Sequence, residues 1–359
     1  MSGAAVGGSA PPARGARVVA LGEILLRLKS PGHERLFQTP VLEATFGGAE
    51  ANVVMSLAGF GMPAAMATVL PEGPLGDAAV AELRRGGVDT RQVVRQGDRL
   101  GVYYLETGAA HRPSRVIYDR AGSAFATAGP QAFDWDAVFA GAGWFHVSGI
   151  TPAVSASAAR LCLAAATAAR ARGLTVSCDY NYRATLWRYG SSAPEVMRDI
   201  MHHVDVGIAG REDCQRVLGV PSPACPADLP DGGPNPEHYR ALAERTLAEF
   251  PSLQVQVITL RESHSASRNG WSACLFDGTR FVTSRRYEIT DMVDRVGAGD
   301  AFSAGFLYGL QAYPDAAAAL EFATAASCLK HSIPGDVNRV TVAEVEALLY
   351  GGGGGRVQR

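Results

Sequence analysis

The chain has 359 residues, 47% of them hydrophobic and 19% charged, with a formal net charge of −2. That is ample apolar mass for a sizeable core, arranged as one large α/β domain or two smaller ones. The small net charge gives no reason to expect nucleic acid or an anionic membrane as a partner, and no apolar run approaches the ~20 residues of a membrane span.

In chain order, residues 1–16 are small and Pro/Gly-rich, lack the apolar stretch of a signal peptide, and read as a disordered N-terminal tail. Short apolar runs at 17–22, 64–70, 143–149, 174–180, 204–210 and 255–260 are expected as strands. Helices are expected between them, at 76–87, 154–173 and 236–250 among others. This alternation predicts a mainly parallel sheet covered on both faces. In such sheets ligands gather at the carboxyl ends of the strands. Two stretches, 24–48 and 98–122, instead alternate polar with apolar residues and contain no good helix. They read as antiparallel hairpins outside the main sheet. Together they form either a small β-lid, over about 24–47 and 98–122, or an extension that makes a homo-oligomer contact. The Pro/Gly-rich stretch 221–236 reads as a surface loop. The GGGGG run at 351–355 opens a flexible C-terminal tail, 351–359, and leaves a domain over 17–350. The six cysteines contain no C-x-x-C pair, so free thiols in a reducing cytoplasm are expected.

The chain has only two lysines, Lys29 and Lys330, and neither lies in a G-x-x-x-x-G-K-[ST] loop or a V-A-I-K strand. A Walker P-loop enzyme and a protein kinase are disfavoured on that ground. H-E-x-x-H, clustered Cys/His ligands and a G-x-S-x-G elbow are also absent, which removes the usual markers of metal and serine hydrolases.

Four stretches carry chemistry. In DRVGAGDAFSAG, two glycines free the backbone amides of Gly297, Ala298 and Gly299 to converge on one point. The following helix adds the positive end of its dipole there. An anion held by those amides would lie within reach of Asp300, which suits phosphoryl transfer with a carboxylate base. Asp300 could equally be a helix cap. In FGGAEAN, Gly47 and Gly48 allow close backbone approach, and Glu50 and Asn52 begin a helix where they can meet hydroxyls. In CDYNYR, Asp179, Asn181 and Arg183 follow an apolar strand. In VIYDRAGSA, Tyr118 and Arg120 share one face of a lid strand. Arg120 and Arg183 would suit a carboxylate-bearing substrate, although an isolated arginine is more often a solvated surface charge.

With these stretches assembled, the chain resembles the ribokinase/PfkB family of small-molecule kinases, from VVALGEILLRL through GGAEANV, HVSGITPA, DYNYRATLW and DRVGAGDAFSAG to KHSIPGD. GGAEAN together with NYRATLW resembles its 2-keto-3-deoxygluconate kinase branch. The resemblance implies a ribokinase-like three-layer α/β sandwich with a mainly parallel central sheet and a small β-lid. It also implies ATP with Mg²⁺, a monovalent cation such as K⁺ in some relatives, and phosphorylation of 2-dehydro-3-deoxy-D-gluconate on its terminal hydroxyl. Residue by residue, it makes Asp300 the catalytic base and Gly297, Ala298 and Gly299 the anion hole. Gly48, Asn52, Tyr103, Tyr118, Arg120, Ile150 and Arg183 match substrate contacts, with Asp336 a further match. Asp294 matches a position linked to the monovalent cation. Relatives often organise Mg²⁺ through an N-x-x-E run; here it is GREDC, with Gly210 and Asp213 at those two places and Glu212 beside them, so Glu212 and Asp213 become the metal candidates. The segment 259–271 reads as the nucleotide-side loop, with no glycine close behind Leu260 where the resemblance expects nucleotide contacts. A kinase for another ketose or sugar acid, fructokinase- or ribokinase-like, and a silent sugar-binding homologue remain the alternatives.

Overall fold

A computed structural model describes residues 15–351. The tails expected at 1–16 and 351–359 lie outside the described residues except at 15, 16 and 351. Fourteen strands are formed among the described residues: β1 Arg17–Leu21, β2 Leu25–Lys29, β3 Glu43–Gly47, β4 Ala64–Leu70, β5 Val93–Arg95, β6 Val102–Glu106 and β7 Arg115–Asp119, then β8 Ala142–Ser148, β9 Thr175–Asp179, β10 Val206–Ala209, β11 Val255–Ser263, β12 Asn269–Phe276, β13 Phe281–Thr283 and β14 Tyr287–Ile289.

The large sheet runs β13-β12-β11-β10-β9-β8-β1-β4-β5, with β14 also paired to β12. From β11 to β5 every pairing is parallel, and the β12 edge is antiparallel. The alternation along β1 shows why both faces are covered. Val18 and Ala20 face one core and Val19 and Leu21 the other, all fully buried. Side chains on a strand alternate faces, so a continuous apolar run demands apolar partners on both sides. Each such aliphatic side chain contributes ~1.5–3 kcal/mol on burial. This is the three-layer α/β sandwich that the strand–helix alternation predicts.

β11 runs three residues past its expected end and pairs with β12 through only a short turn, so most of 259–271 is a hairpin rather than an open loop. The short apolar run WSACLF, buried on both faces, is the signal of β12 in the sequence.

The second sheet is the lid, in the order β3-β2-β6-β7. Its two hairpins are fused through a parallel β2–β6 pair. On its inner face Leu25, Tyr103 and Leu105 pack with Tyr118 and Val296, while Val116 and Ile117 are exposed.

The helix Ala298–Ala312 lies between the helices Ala49–Gly59 and Ala316–Lys330. Its contact with the latter depends on missing side chains. A Cβ on Gly305 would lie 2.9 Å from the Ala323 Cα, and one on Gly309 2.6 Å from the Ala319 Cα. Among the described residues no helix is long and apolar enough to cross a membrane. The six cysteines are free thiols.

Candidate active site

A cavity of about 910 Å³ opens between the lid and the carboxyl ends of β8 to β11. It collects Gly48, Asn52, Tyr103, Tyr118, Arg120, Ile150, Arg183, Glu212, Asp213, Gly297, Gly299, Asp300 and Asp336 from stretches spread over the whole chain. Ala298 is buried behind its wall, and Asp294 lies outside it.

Gly297 ends the approach to the helix Ala298–Ala312 with φ +80°, a left-handed conformation that glycine adopts without strain. A side chain there would also run into the Asp336 carbonyl, so this position needs glycine on two counts. The space beside Gly299 is open. Of the first amides, that of Ala298 donates weakly to the Arg295 carbonyl at 3.4 Å, while those of Gly297 and Gly299 have no backbone partner among the described residues, and together with the helix dipole they make a site for an anion.

Asp300 does not cap this helix. The N-cap is Gly297, Asp300 is the third residue of the helix, and one of its oxygens accepts from the Asn52 side-chain amide at 2.6 Å. Asn52 comes from the helix Ala49–Gly59, 248 residues earlier. Burial pushes the Asp300 carboxyl up to about 6, aided by the nearby Asp336 charge and opposed by Asn52, Arg183 and Lys330. A carboxylate poised there can take a proton from a hydroxyl near neutral pH.

At the lid end, Arg120 is not a free cation for a substrate carboxylate. It is buried and paired with Glu23 at 2.7 Å, which leaves only its Nη1 without a partner. Arg183 is exposed and donates to the Tyr182 carbonyl. The expectation of two free arginines therefore reduces to one free arginine and one neutralised pair. Asp336 is likewise engaged within the chain. Tyr103 donates its hydroxyl to it at 2.5 Å, and Arg27 reaches its other oxygen. Glu50 accepts from the Ser148 amide at 2.9 Å and the Thr151 hydroxyl at 2.5 Å, and burial pushes its carboxyl up to about 7.

Among the metal candidates, Glu212 points at Arg216, 2.8 Å away, and its side chain is 66% exposed. That arrangement does not suit a ligand. Asp213 is better placed: it lines the cavity, accepts from the Gly210 amide at 2.7 Å, and burial raises its carboxyl. Asp179, on the same wall, is raised well above the usual range by burial and by the charges of Asp300 and Asp213. Among the described residues no group of three His, Cys, Asp or Glu converges. Two crowded carboxylates beside an anion site fit Mg²⁺, which commonly takes one or two carboxylates and completes its shell with phosphates and water.

Asp294 does not fit a monovalent cation. Arg27 and the Gly335 amide take one oxygen, and the Val296 amide takes the other. Although burial alone would lower it, Asp336, Tyr103 and Asp294 hold the Arg27 guanidinium above its usual range.

The β11 side of the cavity holds a group the sequence reading missed. Arg261 stacks on Trp271 at 5.2 Å, and its Nε has no partner. Burial, with Arg295 and Arg183 nearby, pushes Arg261 down to about 10. Arg295 is also lowered by burial. A cluster of cations on one wall of the cavity suits a polyanion. The only sequence signal was Arg261 on a strand end, in a stretch set aside for having no glycine close behind Leu260.

The model of the pfkB family carbohydrate kinases matches residues 16–340. A 2-dehydro-3-deoxygalactonokinase of Haloferax volcanii is 36% identical over 342 residues, covering 95% of this chain and 98% of the relative. A 2-dehydro-3-deoxygluconokinase of Thermoproteus tenax is 29% identical, covering 92% and 94%. The crystal structure of a 2-dehydro-3-deoxygluconokinase from Thermotoga maritima superimposes with a TM-score of 0.87 at 45% identity, covering 94% of this chain and all of that one. The ribokinase-like α/β fold with its mainly parallel central sheet is thus that of a known architecture, and the chain belongs to the pfkB family of carbohydrate kinases.

Proposed function

We propose that this carbohydrate kinase transfers a phosphoryl group from ATP to the terminal hydroxyl of 2-dehydro-3-deoxy-D-gluconate. The observation that carries the reading is the Asp300 carboxylate, fixed by Asn52 in the first turn of a helix whose Gly297 and Gly299 amides have no backbone partner among the described residues. In this reading Asp300 removes the acceptor proton while the amides of Gly297, Ala298 and Gly299 hold the charge that develops on the transferred group. The acceptor lies against Gly48, Asn52, Ile150 and the lid residues Tyr103 and Tyr118. Arg183 receives the acid group. Arg261 and Arg295 attend the nucleotide phosphates. Asp213 and Asp179 are the residues that would hold Mg²⁺, which when bound neutralises charge on the phosphates. Asp336 acts as a brace joining the lid to the glycine turn.

A second acceptor, 2-dehydro-3-deoxy-D-galactonate, is favoured by the 36% identity to the Haloferax volcanii enzyme. The two acids differ only at C4, so the same acid-binding groups serve both. An ATP-coupled assay across both acids, fructose and ribose tests the reading. Turnover of one or both acids well above the neutral sugars is expected. Equal or better turnover of fructose or ribose would remove the acid assignment, and ligand binding without any phosphoryl transfer would favour a silent homologue.

A further inference from the structure

We infer that the Lys330 ammonium is a built-in monovalent cation, a positioning group that braces the turn carrying the anion hole and makes the enzyme independent of K⁺. Lys330 ends the helix Ala316–Lys330 and is fully buried. Its Nζ donates to the carbonyls of Asp294 and Ile333, each at 3.2 Å. One carbonyl belongs to the segment leading into Gly297, the other to the segment leading into Asp336. Both segments are also joined where the Val293 and Asp294 amides donate to the His331 carbonyl, at 2.9 and 3.2 Å. Carbonyl oxygens converging from two loops, next to the carboxylate of Asp294, are what an alkali cation would need. Here the ammonium already occupies that point, and Arg27 and backbone amides occupy the carboxylate.

The choice of residue supports this. The chain has 33 basic residues and only two are lysines, so arginine is its ordinary cation. A compact ammonium suits a buried point between carbonyls better than a broad planar guanidinium, which bridges paired carbonyls at the surface, as Arg245 does with those of Pro221 and Ser222. Capping of its own helix is the plainer role for a terminal lysine. Its acceptors, however, are a residue 36 positions away and one in the following turn, not the carbonyls of its last helical turn. Burial lowers the ammonium from its usual range, and the charges of Asp294, Asp336 and Asp300 oppose that shift.

The turnover arm of the test rests on the kinase reading and uses whichever acid the assay panel identifies. The unmutated chain should turn over equally in KCl, NaCl and tetramethylammonium chloride at matched ionic strength. Lys330→Ala should lose about 10²-fold in kcat, the scale for one lost electrostatic support, and regain part of it in K⁺ or NH₄⁺. Lys330→Met fills the volume without charge and should show the loss with no recovery. A second arm needs no acceptor: the melting temperature of the unmutated chain should be the same in the three salts, while that of Lys330→Ala should rise selectively with K⁺ or NH₄⁺. Selective activation of the unmutated enzyme by K⁺ overturns the proposal, even if Lys330→Ala fails to fold. So does an unchanged kcat in Lys330→Met. Equal losses in both variants that no small cation reverses would assign Lys330 a packing role and also overturn it. A failed acceptor panel with the expected melting behaviour would fault the substrate assignment alone.

Discussion

At the lid end of the cavity, Arg120 faces Glu23 and Arg27 lies between Asp294 and Asp336. At the β11 end, Arg183, Arg261 and Arg295 form no ion pair among the described residues, while Asp179 feels the charges of Asp300 and Asp213. The first region is settled before anything binds, and its charges hold the lid in register with the glycine turn. The second is left unsettled, with excess cationic and excess anionic groups that a nucleotide and a metal would reconcile. Preorganisation at one end and stored repulsion at the other suit an enzyme that positions an acceptor and then neutralises a polyanion.

The largest expected effect comes from the group between the two ends. Asp300→Asn should cut kcat by ~10²–10⁴, the usual loss for a general base, with acceptor binding retained in calorimetry. In the unmutated enzyme, the base is active only when ionised. Activity should therefore fall as pH drops below about 6, and this limb should vanish in the variant. Stability runs the other way. A carboxyl raised from 3.8 to about 6 in the folded state holds its proton better there, so the fold loses stability as pH climbs through that window. Asp300→Asn should accordingly melt higher than the parent at neutral pH. A variant that is both less stable and fully active would contradict the assignment.

Glu23→Gln attacks the settled end. Leaving the buried Arg120 unpaired should cost ~3–5 kcal/mol in denaturant unfolding, with a raised acceptor KM. If stability hardly moves, the lid end is not prearranged in the way its geometry implies. The smallest effect is at the other end. Arg261→Ala should raise the KM for ATP about tenfold, as for one lost charge-assisted hydrogen bond, and should leave acceptor KM nearly unchanged. Matching shifts in both KM values would erase the distinction between the two regions.

Much of this was legible in the sequence because it is local. Apolar runs gave the strands, and polar–apolar alternation gave the lid. The glycine spacing in GAGD placed an anion site at a helix start. What was not legible depends on long-range pairing. Nothing near Asp300 says that Asn52 will hold its carboxylate. Nothing near Arg120 says that Glu23 will neutralise it, so an arginine read as a carboxylate receptor is mostly spent. Asp294 was assigned to a cation by position in a motif, yet Arg27, on a lid strand, takes its carboxylate. Arg261 escaped notice because its hairpin was read as a loop.

The two bare contacts at Gly305 and Gly309 make the helix behind Asp300 work like an indexed shaft. With backbone seated directly on Ala323 and Ala319, it has one axial setting, and no soft side chain is present to absorb a displacement. Adding a methyl group at either glycine would push the shaft sideways and carry the carboxylate with it, although both positions lie one to three turns down the helix from Asp300. Loss of activity should therefore spread along one face of this helix well away from the cavity.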